Sequence, residues 1–132
     1  MIIDASALVA VLSDRDHWHQ IAASIFRGAR KPFITCEAVI TECCFLLNPI
    51  RRQETFGLIE DGAIRVDFSL DDEMTKIARL MLKYDSVPMS LADACLVRMS
   101  ETFAAPIFTF DADFLIYRRH RREHIPLVGI DE

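Results

Sequence analysis

Met1-Ile2-Ile3-Asp4-Ala5-Ser6-Ala7-Leu8 joins a short apolar run to a carboxylate and then to residues that favour a helix. The run reads as a strand over Met1–Asp4, buried on both faces because nothing polar interrupts it. Ser6 is expected to cap a short helix reaching about Leu12. Strand and helix go on alternating along the chain, with no internal repeat. Lys31–Thr35, with its apolar and β-branched character, predicts a second strand, Ala63–Phe68 a third, Pro106–Phe110 a fourth and Ile125–Ile130 a fifth. Strands alternating with helices are the pattern of a parallel sheet covered on both faces. The expected fold is therefore α/β, a three-layer α/β/α sandwich with a central, mainly parallel sheet of four to five strands, residues 1–132 forming one domain.

The intervening segments read as helices. Asp16 is expected to open one that turns Trp18, Ile21, Ala22 and Ile25 toward the core and stops near Gly28. Cys36–Leu47 is nearly all apolar and predicts a buried helix ended by Asn48-Pro49, since proline disfavours helical backbone in the residue before it. Arg51–Glu60 follows, ending near Gly62. Ser69 and Asp72 predict a capping box for a helix to Tyr84, with Met74, Ile77, Ala78, Met81 and Leu82 on one face. After Pro88, Ser90–Phe103 is the last helix.

The chain has 132 residues, 52% of them hydrophobic, enough for a packed core in one domain of ordinary size. No apolar run nears the roughly 18 to 20 residues that span a bilayer. A secretory leader is not expected, and the cytoplasm is the expected compartment. Cys36, Cys43, Cys44 and Cys95 show no C-x-x-C pairing, so they are expected to be free, buried thiols in a reducing environment rather than zinc ligands. A formal charge of −5 argues against nucleic-acid binding by bulk electrostatics. The basic residues are nevertheless uneven: Arg118, Arg119, Arg121 and Arg122 crowd around His120, either as a solvated face or as an offset to an acidic pocket.

Chemistry is expected at the carboxyl ends of the strands, where open α/β sheets gather functional groups. Asp4 ends the first strand, and Asp111 and Asp113 follow the fourth. Glu42 lies within an apolar helix, where it must either emerge through a narrow polar stripe or be partly buried at a cost of several kcal/mol unless paired. Ser90-Leu91-Ala92-Asp93 matches the signature that satisfies free backbone donors at a helix start, so capping alone would account for Asp93. Asp4 reads equally as a cap, and Asp111 and Asp113 as an Asx-type turn. Together these acids carry more meaning than singly. Carboxylates converging on one rim raise each other's pKa and call for a cation, and all-oxygen ligation suits Mg²⁺ or Mn²⁺.

Met1-Ile2-Ile3-Asp4-Ala5-Ser6, the helical Glu42 with its apolar neighbours, Pro88-Met89-Ser90-Leu91-Ala92-Asp93-Ala94 and Thr109-Phe110-Asp111-Ala112-Asp113-Phe114 together resemble the PIN domain, and most closely the prokaryotic VapC-like toxins. The resemblance runs the length of the chain. It implies a metal-dependent endoribonuclease in which Asp4, Glu42, Asp93 and Asp111 bind one or two divalent ions, with Asp113 an auxiliary acid and either Asp111 or Asp113 the nearer ligand. Ser6 and Thr109 would orient carboxylates or a water. The implied reaction is hydrolysis of an RNA phosphodiester by water acidified on the cation, leaving a 5′-phosphate. Single-stranded or looped RNA would enter such a rim more readily than a stiff duplex, with Arg118, Arg119, Arg121 and Arg122 as phosphate contacts. A small antitoxin partner and a homodimer built through helices are further implications, as is a rival role: a PIN-fold module that binds a protein or RNA with little or no nuclease activity.

Other acid-dependent families fit less well. A haloacid-dehalogenase-type phosphatase needs D-x-D after the first strand, where Ala5-Ser6 follow Asp4 here, and a D-x-E exonuclease fails at the same place. A phosphoacceptor receiver needs a lysine near its last strands, yet the lysines are Lys31, Lys76 and Lys83.

Overall fold

The computed structural model describes residues 1–130. The strands are β1 (Ile2–Ile3), β2 (Phe33–Thr35), β3 (Ile64–Val66), β4 (Ile107–Thr109), β5 (Arg118–Arg119), β6 (Glu123–His124) and β7 (Leu127–Gly129). Five of them form one sheet in the order β3-β2-β1-β4-β7, and β5 and β6 stand apart as a pair. Every pairing in the larger sheet is parallel: Ile2 lies opposite both Ile34 and Ile107, and Thr109 opposite Gly129. Helices α1 (Ala5–Leu12), α2 (His19–Gly28), α3 (Glu37–Leu46), α4 (Pro49–Glu60), α5 (Leu70–Lys83) and α6 (Leu91–Thr102) flank it as an α/β sandwich. Ile2, Ile3, Phe33, Ile107 and Phe108 are fully buried in the sheet, and Leu8, Val39, Ile77 and Leu96 meet them from the helices.

The strand order positions the site. From β1 the chain winds outward through β2 and β3, then returns to the other side of β1 as β4 and β7. The direction of winding thus reverses between β1 and β4, which leaves a crevice beyond their carboxyl ends. Asp4 and Asp111 are the residues delivered there.

Several local expectations are corrected. Asp4, not Ser6, caps α1, accepting a hydrogen bond from Ala5 N. Asp16 forms a turn onto Trp18 N, and α2 begins only at His19, leaving Trp18 39% and Ile21 46% exposed rather than in the core. Helix α3 is not buried: it sinks Val39 and Cys43 while Phe45 stands 86% and Leu46 62% exposed, because only one stripe meets α1 and α6. Pro49 starts α4 as well as following α3, its missing N–H being no loss in a first turn capped by Asn48. Helix α5 is rotated from the expected face, with Ile77 buried, Leu80 and Met81 partly so, and Met74 and Leu82 exposed.

The β5–β6 hairpin went unread in the sequence. Its two strands run antiparallel, and the turn between them carries His120 at φ 48° and Arg121 at φ 72°. Gly129 closes the edge of the larger sheet at φ +104°, and a Cβ there would sit 2.5 Å from the Thr109 carbonyl, so only glycine lets β7 lie this close to β4. All four cysteines are free thiols; burial pushes Cys43 up to about 12, so it packs as a small apolar side chain.

Candidate metal centre

Asp4 stands at the crevice with its carboxylate engaged on both oxygens. Oδ1 accepts from Ala5 N at 2.7 Å, while Oδ2 accepts from Ser6 Oγ at 2.9 Å and Thr109 Oγ1 at 2.7 Å. Each hydroxyl has one proton, and both are spent on Asp4, so each oxygen is left to accept. Ser6 Oγ accepts from Phe110 N and Thr109 Oγ1 from Asp111 N, both at 3.0 Å. This network ties the end of β1 to the end of β4 and fixes where Asp111 starts. Burial raises Asp4 to about 6, against the lowering effect of these hydrogen bonds, with Asp93 adding a smaller upward push.

Asp111 caps a short 3-10 turn, Ala112–Leu115, accepting from Asp113 N at 2.9 Å. The turn brings Asp113 back beside it. Asp93 arrives from the first turn of α6, in a capping box with Ser90: Ser90 Oγ accepts from Asp93 N at 3.0 Å, and Asp93 Oδ2 accepts from Ser90 N at a long 3.5 Å. Capping and convergence therefore coexist. Asp93, Asp111 and Asp113 each offer a carboxylate oxygen within 4.8 Å of the others. Asp4 and Glu42 lie outside that tight triplet but within its field. Glu42, half-buried on α3, is raised by desolvation and then by the charges of Asp4, Asp93 and Asp111; Asp93 is raised by desolvation and by Asp111. Like charges held together in partial burial are the condition a divalent cation relieves, and a donor set of carboxylate oxygens fits a hard ion.

Tyr117 was missed in the sequence. It is fully buried, and its hydroxyl donates to Asp93 Oδ2 at 2.8 Å, giving that oxygen its strongest partner and leaving Oδ1 free of protein donors among the described residues. Phe114 and Tyr84 meet its ring edge-on at 5.3 and 5.1 Å, so the hydroxyl has little freedom to move. Its signal was weak, an aromatic beside a run of arginines. Tyr117→Phe is expected to fold and to bind Mn²⁺ about 10- to 100-fold more weakly, as when a partner that orients a metal-binding group is removed. Calorimetric titration with Mn²⁺ checks this; unaltered affinity would reduce Tyr117 to packing.

The four arginines separate. Arg118 donates to the carbonyls of Leu115, Ile116 and Tyr117, and Arg119 to that of Ser100 at 3.4 Å, with Glu123 3.3 Å away. Arg121 and Arg122 are exposed. Arg118 and Arg121 also line a cleft of about 450 Å³ with Lys76, Arg79 and Lys83 of α5 and Arg98 of α6. Arg98 is neutralised by Glu73 at 2.7 Å and Glu101 at 3.3 Å, so the remaining cations set the cleft's positive field. No described helix is long and apolar enough to cross a membrane.

Comparison with known proteins bears on the fold and the family. Among solved structures, the chain is similar to Mycobacterium tuberculosis VapC20, a Sarcin-Ricin loop cleaving toxin, with a TM-score of 0.73 at 19% identity over 85% of this chain and 90% of that one. A search of curated protein sequences finds no match. The PIN domain family model matches residues 1–119, a span that takes in Asp4, Glu42, Asp93, Asp111, Asp113 and Tyr117. The chain belongs to the PIN domain family.

Proposed function

We propose that this protein is a metal-dependent endoribonuclease, the toxin component of a toxin–antitoxin pair. The observation that carries the reading is the meeting of Asp93, Asp111 and Asp113 carboxylates within 4.8 Å, with Asp4 and Glu42 near enough to be coupled to them. Asp4, Glu42, Asp93, Asp111 and Asp113 would hold Mg²⁺ or Mn²⁺. When bound, the cation supplies Lewis acidity and charge neutralisation for phosphodiester hydrolysis. Ser6 and Thr109 keep the Asp4 carboxylate from rotating, and Tyr117 does the same for Asp93. Below about pH 6 Asp4 holds a proton and is a poorer ligand.

RNA cleavage is expected to vanish in EDTA and to return with Mn²⁺, followed on single-stranded RNA with end-group analysis for the 5′-phosphate. Cleavage undiminished in chelator would overturn the metal-dependent scheme. The free thiols support a reducing, cytoplasmic setting. Exposed Phe45, Leu46 and Ile50 support pairing of two copies through α3 and α4.

The basic cleft is suited to the RNA backbone. Neutralising Lys76, Arg79 and Arg121 together is expected to weaken RNA binding and to flatten its salt dependence by about 0.7 log units per log unit of salt for each phosphate no longer neutralised, with metal affinity intact. Binding measured across a salt series decides this, and an unchanged slope assigns the cleft to solvent.

A further inference from the structure

Trp18, the chain's sole tryptophan, is 39% exposed and stacks on Phe110, the residue before Asp111. Its indole lies parallel to the Phe110 ring, with centroids 5.0 Å apart and 7° between planes. Phe110 is bonded to the rim on both sides: its N–H donates to Ser6 Oγ at 3.0 Å, and its carbonyl leads directly into Asp111. The indole therefore rests on the residue that joins Asp4's hydrogen-bond network to the metal-facing acids.

The backbone under Trp18 is held fast. Asp16 Oδ1 accepts from Trp18 N at 2.9 Å, Asp16 O accepts from His19 N at 3.1 Å, and His19 Nδ1 is 2.8 Å from the Ala10 carbonyl. Exposed His17 meets the indole edge-on at 4.8 Å, and as a surface side chain it can move aside cheaply. A large flat ring fixed at its base, backed by a second ring and left open to solvent is a surface on which a nucleobase stacks at small entropic cost. Such a contact suits a protein of charge −5, which cannot hold RNA by its overall field.

Resting on the ribonuclease reading, we infer that Trp18, backed by Phe110, is the stacking shelf for an unpaired base next to the phosphodiester that is cut. The shelf gives the enzyme a preference for single strands at the cleavage position, because a base must leave its own stack to reach it. Every base has a face to offer, so the contact selects for unpaired RNA more than for sequence.

Tryptophan emission reads the contact directly. The native protein is titrated in EDTA with a short mixed-sequence single-stranded RNA, with its duplex, and with an abasic oligonucleotide of equal length and charge. The single strand is expected to quench emission, the duplex and the abasic strand to leave it unchanged. Trp18→Ala is expected to weaken single-strand binding roughly five- to a hundredfold with no change in salt slope, and Trp18→Phe to retain most of it. Emission that ignores the single strand, or that responds equally to the abasic one, overturns the shelf. Quenching by an RNA that is not then cut in Mg²⁺ or Mn²⁺ keeps the shelf and sinks the nuclease reading; cleavage without quenching does the reverse.

Discussion

An Asp93→Asn protein is expected to cut RNA at least about a hundredfold more slowly than its parent while folding normally, since loss even of groups that merely orient metal ligands costs 10- to 100-fold. The side chain keeps its size. An asparagine carbonyl in the place of Oδ2 still accepts from the Tyr117 hydroxyl at 2.8 Å and from Ser90 N, so the helix cap and the aromatic packing persist. The amide NH₂ then takes the place of Oδ1, so the cluster with Asp111 and Asp113 loses one carboxylate charge and gains a donor in place of an acceptor. Cleavage rates in Mn²⁺ and thermal melting in EDTA test the two halves together. A variant that cuts at the parental rate would remove Asp93 from the reaction, and one that fails to melt cooperatively would recast it as a structural residue.

The second large effect concerns Asp4 and pH. Its carboxyl is raised from 3.8 to about 6, chiefly by burial, so the folded protein holds this proton more tightly than the unfolded chain does. The resulting stabilisation is fully present below about pH 4 and is lost as pH rises through about 6, an effect of up to about 3 kcal/mol at one pKa unit per 1.36 kcal/mol. Glu42 and Asp93, also raised by burial, add the same sign. In EDTA the protein is therefore expected to melt at a higher temperature near pH 5 than near pH 8. Mn²⁺ should narrow the gap from the alkaline side, because it binds only the ionised acids and stabilises by mass action. Asp4→Asn should flatten the metal-free profile and lose most of the stabilisation by Mn²⁺. Calorimetric scans across pH, with and without metal, measure all of this; a metal-free protein more stable at pH 8 than at pH 5 would contradict the burial of Asp4.

What the sequence disclosed was what depends on period and on chain order. Apolar runs marked the sheet, and a carboxylate at the end of the first and fourth strands marked the crevice, because those features follow from alternation alone. Ser90 and Asp93 announced a capping box that is present. Features decided by tertiary contact stayed hidden. Trp18 and Phe45 have the hydrophobicity of core residues, and only the packing of α2 and α3 leaves them in solvent. The turn of the β5–β6 hairpin places His120 and Arg121 in the left-handed region, where glycine or asparagine would have signalled it. Tyr117 bears on the site only because the 3-10 turn folds the chain back toward α6.

The order of the acids along the chain sets when competence can appear during synthesis. The first strand pairs with β2 at Ile34 but gains β4, the strand that carries the later acids, only at Ile107, and Thr109, Asp111, Asp113 and Tyr117 all emerge after that point. A nascent chain ending at Pro106 already carries Asp4, Glu42 and Asp93 yet lacks the second of the two hydroxyls that orient the first, the carboxylates that complete the cluster and the phenol that steadies the last. On the ribonuclease reading, the protein stays harmless to the message being translated until the chain has been made through Tyr117.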